Sequence, residues 1–497
     1  MCRDYARWMS TVTSEAAILD AAPNTLYIAG EWRDATGGGT LPVEDPATGE
    51  TLVDVADATV DDALSALAAA DGAFASFKRV PARERSDILR RTYDLMVERA
   101  DDLALLMTLE MGKPIPESKA EVLYAAAYLR WYSEEAVRID GRFGPHENGG
   151  NYVLTMQQPV GPCLFITPWN FPLAMGTRKI GPAIAAGCTV VVKPAKQTPL
   201  SMLMLAKLFE EAGLPAGVLN VVTAKSSGST MAPLIADSRL RKLSFTGSTE
   251  IGKQLIGQAA EQVLRVSMEL GGNAPFLVME DADLDRAVEG ALIAKMRNMG
   301  EACTAANRFL VHESVADAFA ERLGAAMGDL VVGRGTEDAT KVGPLIDQAS
   351  REKVEELVAD ATDRGATVVT GGSPVGERGY FYAPTVLNGV PADARLLTEE
   401  IFGPVAPITT FATDDEAIAA ANATEYGLAA YVFAQDINRA FKVIDGLDTG
   451  MIGFNQGMVS NAGAPFGGVK QSGFGREGGP EGLKEYLSTK YVALNVG

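Results

Sequence analysis

The side chains that could do covalent chemistry in this sequence are few. Four cysteines, Cys2, Cys163, Cys188 and Cys303, are spread without a Cys-x-x-Cys spacing, which argues against a disulfide framework and against a zinc ribbon. Thiol chemistry in a reducing compartment is left for them, with the thiolate as the reactive form. The two histidines, His146 and His312, stand in no metal-binding spacing, so neither a histidine triad nor a metal site is expected. Residues 247–253, Gly-Ser-Thr-Glu-Ile-Gly-Lys, copy the glycine spacing and lysine of a phosphate loop, yet Gln254 stands where the magnesium-binding hydroxyl is required. The fingerprint G-x-G-x-x-G is absent at the strand-to-helix turns. Gly247 and Ser248 still fall at a helix N-terminus, whose free N–H groups and dipole favour an anion such as a pyrophosphate.

Four further segments stand in a fixed order: Thr167-Pro168-Trp169-Asn170-Phe171-Pro172, Met268-Glu269-Leu270-Gly271-Gly272-Asn273-Ala274-Pro275, Gly300-Glu301-Ala302-Cys303 and Glu400-Ile401-Phe402-Gly403-Pro404. Each alone is weak, but together and in this order they make the chain resemble the aldehyde dehydrogenase superfamily from about Tyr27 to the C-terminus. The resemblance implies that Cys303 attacks the aldehyde carbon as thiolate, giving a thiohemiacetal that loses hydride to a nicotinamide and becomes a thioester. The thiol pKa would then have to be lowered locally. By the same resemblance Glu269 is the general base, and the Asn170 amide with the backbone N–H of Cys303 stabilises the oxyanion. Thr167, Pro168, Trp169, Gly247 and Ser248 fall in the cofactor-binding segments, Lys193 and Glu400 match residues that hold the two riboses, and Phe402 matches the aromatic beside the nicotinamide. A hydrolase using Cys303, Glu269 and Asn170 without redox chemistry would leave Lys193, Glu400 and Phe402 unexplained.

Within the superfamily, residues 171–179 and 295–298 are most similar to the members that oxidise succinate semialdehyde to succinate. That similarity implies that Arg178 and Arg297 grip a distal carboxylate, with Ser460 assisting, as guanidinium forks do in partly desolvated pockets. Another ω-carboxy aldehyde, such as glutarate semialdehyde, is the alternative, since one methylene gives only about 1–3 kcal/mol of discrimination. At the cofactor, NAD-preferring relatives often carry a glutamate where Lys196 stands; a lysine there can pair with a ribose phosphate, which favours NADP with NAD still possible. Two departures matter. Glu301 stands where relatives usually have glutamine, and an acid two residues from the nucleophile should raise its pKa unless turned away or paired. Ala305 removes the second cysteine with which some relatives form a reversible disulfide, so no such switch is expected.

The elements that must position these residues follow from periodicity. From Val160 onward, short apolar runs alternate with helical stretches: strands at 163–167, 189–192, 218–222, 243–246 and 264–269, helices at 173–186, 201–212 and 250–262. A second series follows Gly271-Gly272, with strands at 275–279 and 309–312 and helices at 284–297 and 352–364. The stretches 60–77, 82–98 and 117–137 read as amphipathic helices packed on the first sheet, as scaffold rather than site. The runs 151–158 and 486–494 alternate like open strands, which often pair with another subunit.

The expected fold is α/β of aldehyde dehydrogenase type: two doubly wound α/β domains and a small β oligomerisation element. Residues 24–140 and 160–269 would bind the nicotinamide cofactor, 270–478 would be catalytic, and 141–159 with 479–497 would supply strands for a homodimer or homotetramer. With 497 residues and 44 basic against 64 acidic side chains, the formal charge of −20 argues against nucleic acid and anionic membrane as partners. No apolar run is long enough to span a bilayer, and residues 1–23 lack the apolar core of a signal peptide, so a cytoplasmic enzyme with a loosely ordered leader and a small aldehyde substrate is expected.

Overall fold

The computed structural model describes residues 14–495. Val- and Phe-rich runs such as Thr189–Lys193 and Lys242–Thr246 are buried along their whole length, as expected of parallel strands covered by helices on both faces. They belong to an eight-stranded sheet whose centre runs Arg265–Glu269, Lys242–Thr246, Pro162–Ile166, Thr189–Lys193, Leu219–Val221, all parallel. The chain starts this centre at Pro162–Ile166, winds outward to one side, then returns to build the other side from Lys242–Thr246. That reversal opens a crevice at the carboxyl ends of Pro162–Ile166 and Lys242–Thr246, where open α/β sheets receive ligands. A second, seven-stranded sheet runs Thr367–Thr370, Thr385–Asn388, Val405–Phe411, Ala306–His312, Ala274–Val278, Ala429–Phe433, Met451–Phe454, parallel except for its first pair. Both sheets are doubly wound, as the alternation of elements implies.

Four features differ from the sequence reading. Tyr152–Pro159 and Leu487–Leu494, expected as open strands, pair antiparallel with each other over their full length, and Arg142–Pro145 adds a third strand. Gly473–Phe474, inside the span assigned to the catalytic domain, pairs antiparallel with Arg265–Glu269 and so finishes the first sheet. The helix Ala100–Met111 has no counterpart in the pattern: nine of its twelve residues are buried, which leaves no polar face to reveal a helical period. Of the expected loose leader, residues 1–13, with Cys2, lie outside the described residues; Glu15–Ala21 is a helix capped by Ser14, and Glu15 accepts two hydrogen bonds of 2.9 Å from Arg334. Among the described residues no helix is long and apolar enough to cross a membrane.

Candidate active site

Cys303 and Asn170, from two loops, and Glu269, from a strand end, line one cavity of about 270 Å³, together with Trp169, Glu400 and Phe402. Asn170 follows the strand Pro162–Ile166, at one lip of the crevice, and Glu269 ends the strand Arg265–Glu269. Gly272 allows the close approach of the Cys303 loop: a Cβ there would lie 2.5 Å from the Cys303 carbonyl oxygen. Ahead of Cys303 the 3-10 turn Arg297–Gly300 carries two consecutive left-handed residues, Asn298 (φ 56°) and Met299 (φ 54°). Non-glycine residues in that region cost about 1–3 kcal/mol each and persist only when surroundings fix them. Here the Glu117 carboxylate accepts from the Asn298 N–H at 2.7 Å, and Asn298 Nδ2 donates to the carbonyls of Asn170 (3.0 Å) and Glu301 (2.9 Å).

The amide of Asn170 is buried, and its Nδ2 donates to the Glu301 carbonyl at 2.9 Å. A side-chain amide nitrogen has two N–H groups, so one remains for an oxyanion. Glu269 is buried, and neither carboxyl oxygen has a hydrogen-bond partner in the protein. Desolvation, with the charge of Glu477 next, drives its pKa well above the usual carboxylate range, against the pull of Arg178 and Lys179.

The Cys303 thiol was expected to be lowered, and it is not: burial pushes it up to about 12, Arg178 draws it down, and Glu400 and Glu269 raise it. Glu301 is not the cause. Its carboxyl turns away to accept from the Ile346 N–H at 3.1 Å, and burial pushes its own pKa well up.

The cofactor-binding expectations divide between two places. Pro168, Trp169, Gly247, Ser248, Glu400 and Phe402 line the same cavity as Cys303. Phe402 has a left-handed φ of 54° and meets Trp169 edge to face at 5.4 Å; Glu400 accepts from the Gly272 N–H at 3.3 Å and is pushed up by burial to about 7. Ser248 caps the helix Thr249–Ala260, which points its N-terminus at the cavity wall. Lys193 and Lys196 lie farther along the crevice. The Thr167 N–H donates to the Lys193 carbonyl at 3.1 Å, and burial, with the charge of neighbouring Lys196, lowers the Lys193 amine to about 8. The hydroxyls of Thr167 and Thr246 are buried without partners. Unpaired hydroxyls, a helix N-terminus and two adjacent cations along one crevice fit a dinucleotide.

The substrate-binding expectations are not all brought together. Arg297 and Ser460 line a second cavity, of about 520 Å³, on the Phe171 side of Asn170. The Arg297 guanidinium lies over the rings of Phe171 (4.7 Å) and Tyr124 (5.5 Å). Arg178 lines neither cavity. It is 1% exposed, ion-paired with Glu477 and stacked over Phe466, although its Nη2 has no hydrogen-bond partner.

Sequence reasoning missed the helix Ile115–Glu135, taken there as scaffold: its Glu117, Glu121 and Tyr124, with Lys113 just before it, line the Arg297 cavity. The available signal was a pair of acids four residues apart on an otherwise apolar helix face.

Residues 32–492 match the aldehyde dehydrogenase family. The succinate-semialdehyde dehydrogenase of Paenarthrobacter nicotinovorans is 60% identical over 443 residues, 89% of this chain and 98% of that one. The glutarate-semialdehyde dehydrogenase of Pseudomonas putida is 50% identical over 470 residues, 95% of this chain and 97% of that one. The crystal structure of an NADP-dependent enzyme of Escherichia coli superposes with a TM-score of 0.95 at 48% identity, covering 97% of this chain and 100% of that chain. Since the match runs through both sheets and every loop that lines the cavity, the chain belongs to the aldehyde dehydrogenase family.

Proposed function

We propose that this chain oxidises succinate semialdehyde to succinate with NADP in preference to NAD. The observation that carries this reading is the meeting of Cys303, Glu269 and Asn170 over one cavity, with the cation Arg297 and the hydroxyl of Ser460 on a second cavity behind Asn170. When bound, the nicotinamide supplies the hydride acceptor. The protein's own groups do the rest. Glu269, held without competing hydrogen bonds, takes the thiol proton as Cys303 adds to the aldehyde carbon, Asn170 donates to the resulting oxyanion, and Glu269, after passing that proton to solvent, takes another from the water that hydrolyses the thioester. Arg297, with Ser460, holds the distal carboxylate; Arg178, buried outside both cavities and paired with Glu477, does not reach it. A second reading, glutarate semialdehyde as substrate, is favoured by the 50% identity to the enzyme of Pseudomonas putida. Residues 24–140 with 160–269 serve as the cofactor-binding unit and 270–478 as the catalytic one. The three-stranded sheet, with Phe143 and Tyr491 exposed on it, joins copies into a cytoplasmic homodimer or homotetramer.

The carboxylate grip is tested by comparing succinate semialdehyde with butanal, of similar length but uncharged. Arg297→Ala should lower the preference for the charged aldehyde by about 1.5–3 kcal/mol, the worth of a charge-assisted contact. Arg178→Ala should instead lower activity on both aldehydes alike, because Glu477 is left with less countercharge in the interior. Equal losses on both aldehydes in Arg297→Ala would remove the grip.

The cofactor preference rests on Lys193 and Lys196. A phosphate beside them gains a charged contact of about 1.5–3 kcal/mol, roughly 10- to 150-fold in favour of NADP. Lys196→Glu should reverse the ratio of kcat/KM for NADP over NAD. The pH dependence has a definite sign. Lys193 titrates near 8 and a phosphate favours its charged form, so the preference should be full below about pH 8 and decline as pH rises above it. A ratio unmoved by Lys196→Glu sinks the assignment.

A further inference from the structure

Two helices meet at the cavity that Arg297 lines, and the connection between them is locked. Helix Ala100–Met111 ends on Gly112 in a left-handed conformation (φ 93°), where a Cβ would lie 2.7 Å from Pro344, and Pro114 caps the start of helix Ile115–Glu135. Lys113 is fixed in between. Its ammonium is 1% exposed and donates to Glu121 at 2.5 Å and to the backbone carbonyl of Asn170 at 2.8 Å. Glu121, equally buried, uses its other oxygen to accept from the N–H groups of Leu173 (3.0 Å) and Ala174 (3.2 Å). Those groups open the helix Ala174–Ala186, whose own N-terminus has no side-chain cap, so Glu121 caps it from another helix. One ion pair thereby holds both ends of the segment that runs from Asn170 to Ala174.

Glu117 lies one helical turn before Glu121 and so shares its face. It accepts from the Asn298 N–H at 2.7 Å, at the left-handed kink that precedes Cys303. Asn298 in turn donates to the carbonyls of Asn170 and Glu301. A single helix face therefore ties the loop of the amide to the loop of the nucleophile. Burying Lys113 and Glu121, with Glu117 half-buried beside them, is costly, and their bonds go to backbone groups of these two loops rather than to one another alone.

We propose that Lys113, Glu117 and Glu121 are positioning residues that fix the Asn170 amide against the Cys303 loop in the geometry the oxyanion requires. This rests on the proposed role of Asn170. The test is a double-mutant cycle on the full-length enzyme with saturating cofactor. Lys113→Met and Glu121→Gln, which keeps an oxygen for the Leu173 and Ala174 N–H groups but takes the charge from Lys113, should each lower kcat about 10- to 100-fold, for succinate semialdehyde and butanal alike. In an Asn170→Ala background the same changes should cost less than about 3-fold, because the group they position is gone. Glu117→Ala should lower kcat about 10-fold, and Glu117→Gln, which still accepts from Asn298, should recover most of that loss. KM for the cofactor should stay as in wild type throughout. Should Lys113→Met fail to fold, the shape-conserving Glu121→Gln and Glu117→Gln carry the cycle. Losses that are the same with and without Asn170, or no rescue by Gln at 117, overturn the positioning role while leaving Asn170 catalytic. A harmless Asn170→Ala would instead overturn the oxyanion reading, and the clamp with it.

Discussion

Replacing Cys303 with alanine is expected to abolish aldehyde oxidation, a loss of about four orders of magnitude or more, with cofactor binding retained. No other side chain can take over. The other two described thiols, Cys163 and Cys188, are fully buried in the first core beneath the sheet, and no histidine lines the cavity. Retained cofactor affinity follows because the crevice residues Lys193, Gly247 and Ser248 do not depend on the thiol for their positions. The state of that thiol gives a second handle on the same residue. With burial holding its pKa up to about 12, the neutral thiol dominates at physiological pH and the thiolate fraction grows with pH. Inactivation of the cofactor-free enzyme by iodoacetamide should therefore rise about tenfold per pH unit between about pH 7 and 9.5, without a plateau. The Cys303→Ala protein should not be inactivated. Normal turnover by Cys303→Ala would remove the mechanism. A plateau below pH 8 would show instead that Arg178 and Arg297 outweigh desolvation at the thiol.

What was legible in the sequence is what local pattern controls. The run of valines at 190–192, buried on both faces, and the strand-turn-helix passage around Thr246 announce parallel strands; the short motifs at 167–172 and 268–275 sit where such strands end, and those at 300–303 and 400–404 just before strands begin. The rest depends on which turns face one another, which no local period records. Arg178 and Arg297 looked equivalent as cations, but Arg178 meets Glu477 from nearly three hundred residues downstream and spends its charge there. The helix Ile115–Glu135 looked like scaffold because its apolar residues decide where it packs, whereas Glu117 and Glu121 show their purpose only against Asn298 and Leu173. Glu301 looked like a threat to the nucleophile because it is near in sequence; the turn points its carboxyl at Ile346 instead. The two alternating strands of the three-stranded sheet, Tyr152–Pro159 at its centre and Leu487–Leu494 at its edge, satisfied each other because their partner lay in the same chain.

Asn170→Ala is expected to lower kcat/KM by about 10²- to 10³-fold, or about 2.7–4 kcal/mol, the loss seen when one preorganised oxyanion donor is removed. The loss should fall on chemistry and not on folding, and the reason lies in the hydrogen bonds around the amide. Truncating the side chain deletes the bond from Asn170 Nδ2 to the Glu301 carbonyl, but Asn298 Nδ2 donates to that same carbonyl at 2.9 Å, so it is not orphaned. The backbone carbonyl of Asn170 keeps both its donors, Lys113 and Asn298. The unpartnered Oδ1 is lost with the side chain, which removes a buried acceptor that nothing in the protein satisfies. Thermal stability should thus stay close to wild type, and the rate of Cys303 alkylation by iodoacetamide should be unchanged, because displacement at an alkyl halide builds no oxyanion. Asn170→Asp should be as poor as alanine or worse: it has the shape of the amide but offers a negative charge where charge of the same sign develops. Should Asn170→Ala lose activity and stability together, or slow alkylation as much as oxidation, the amide would be a strut of the loop, and the oxyanion would have to be held by the Cys303 N–H alone.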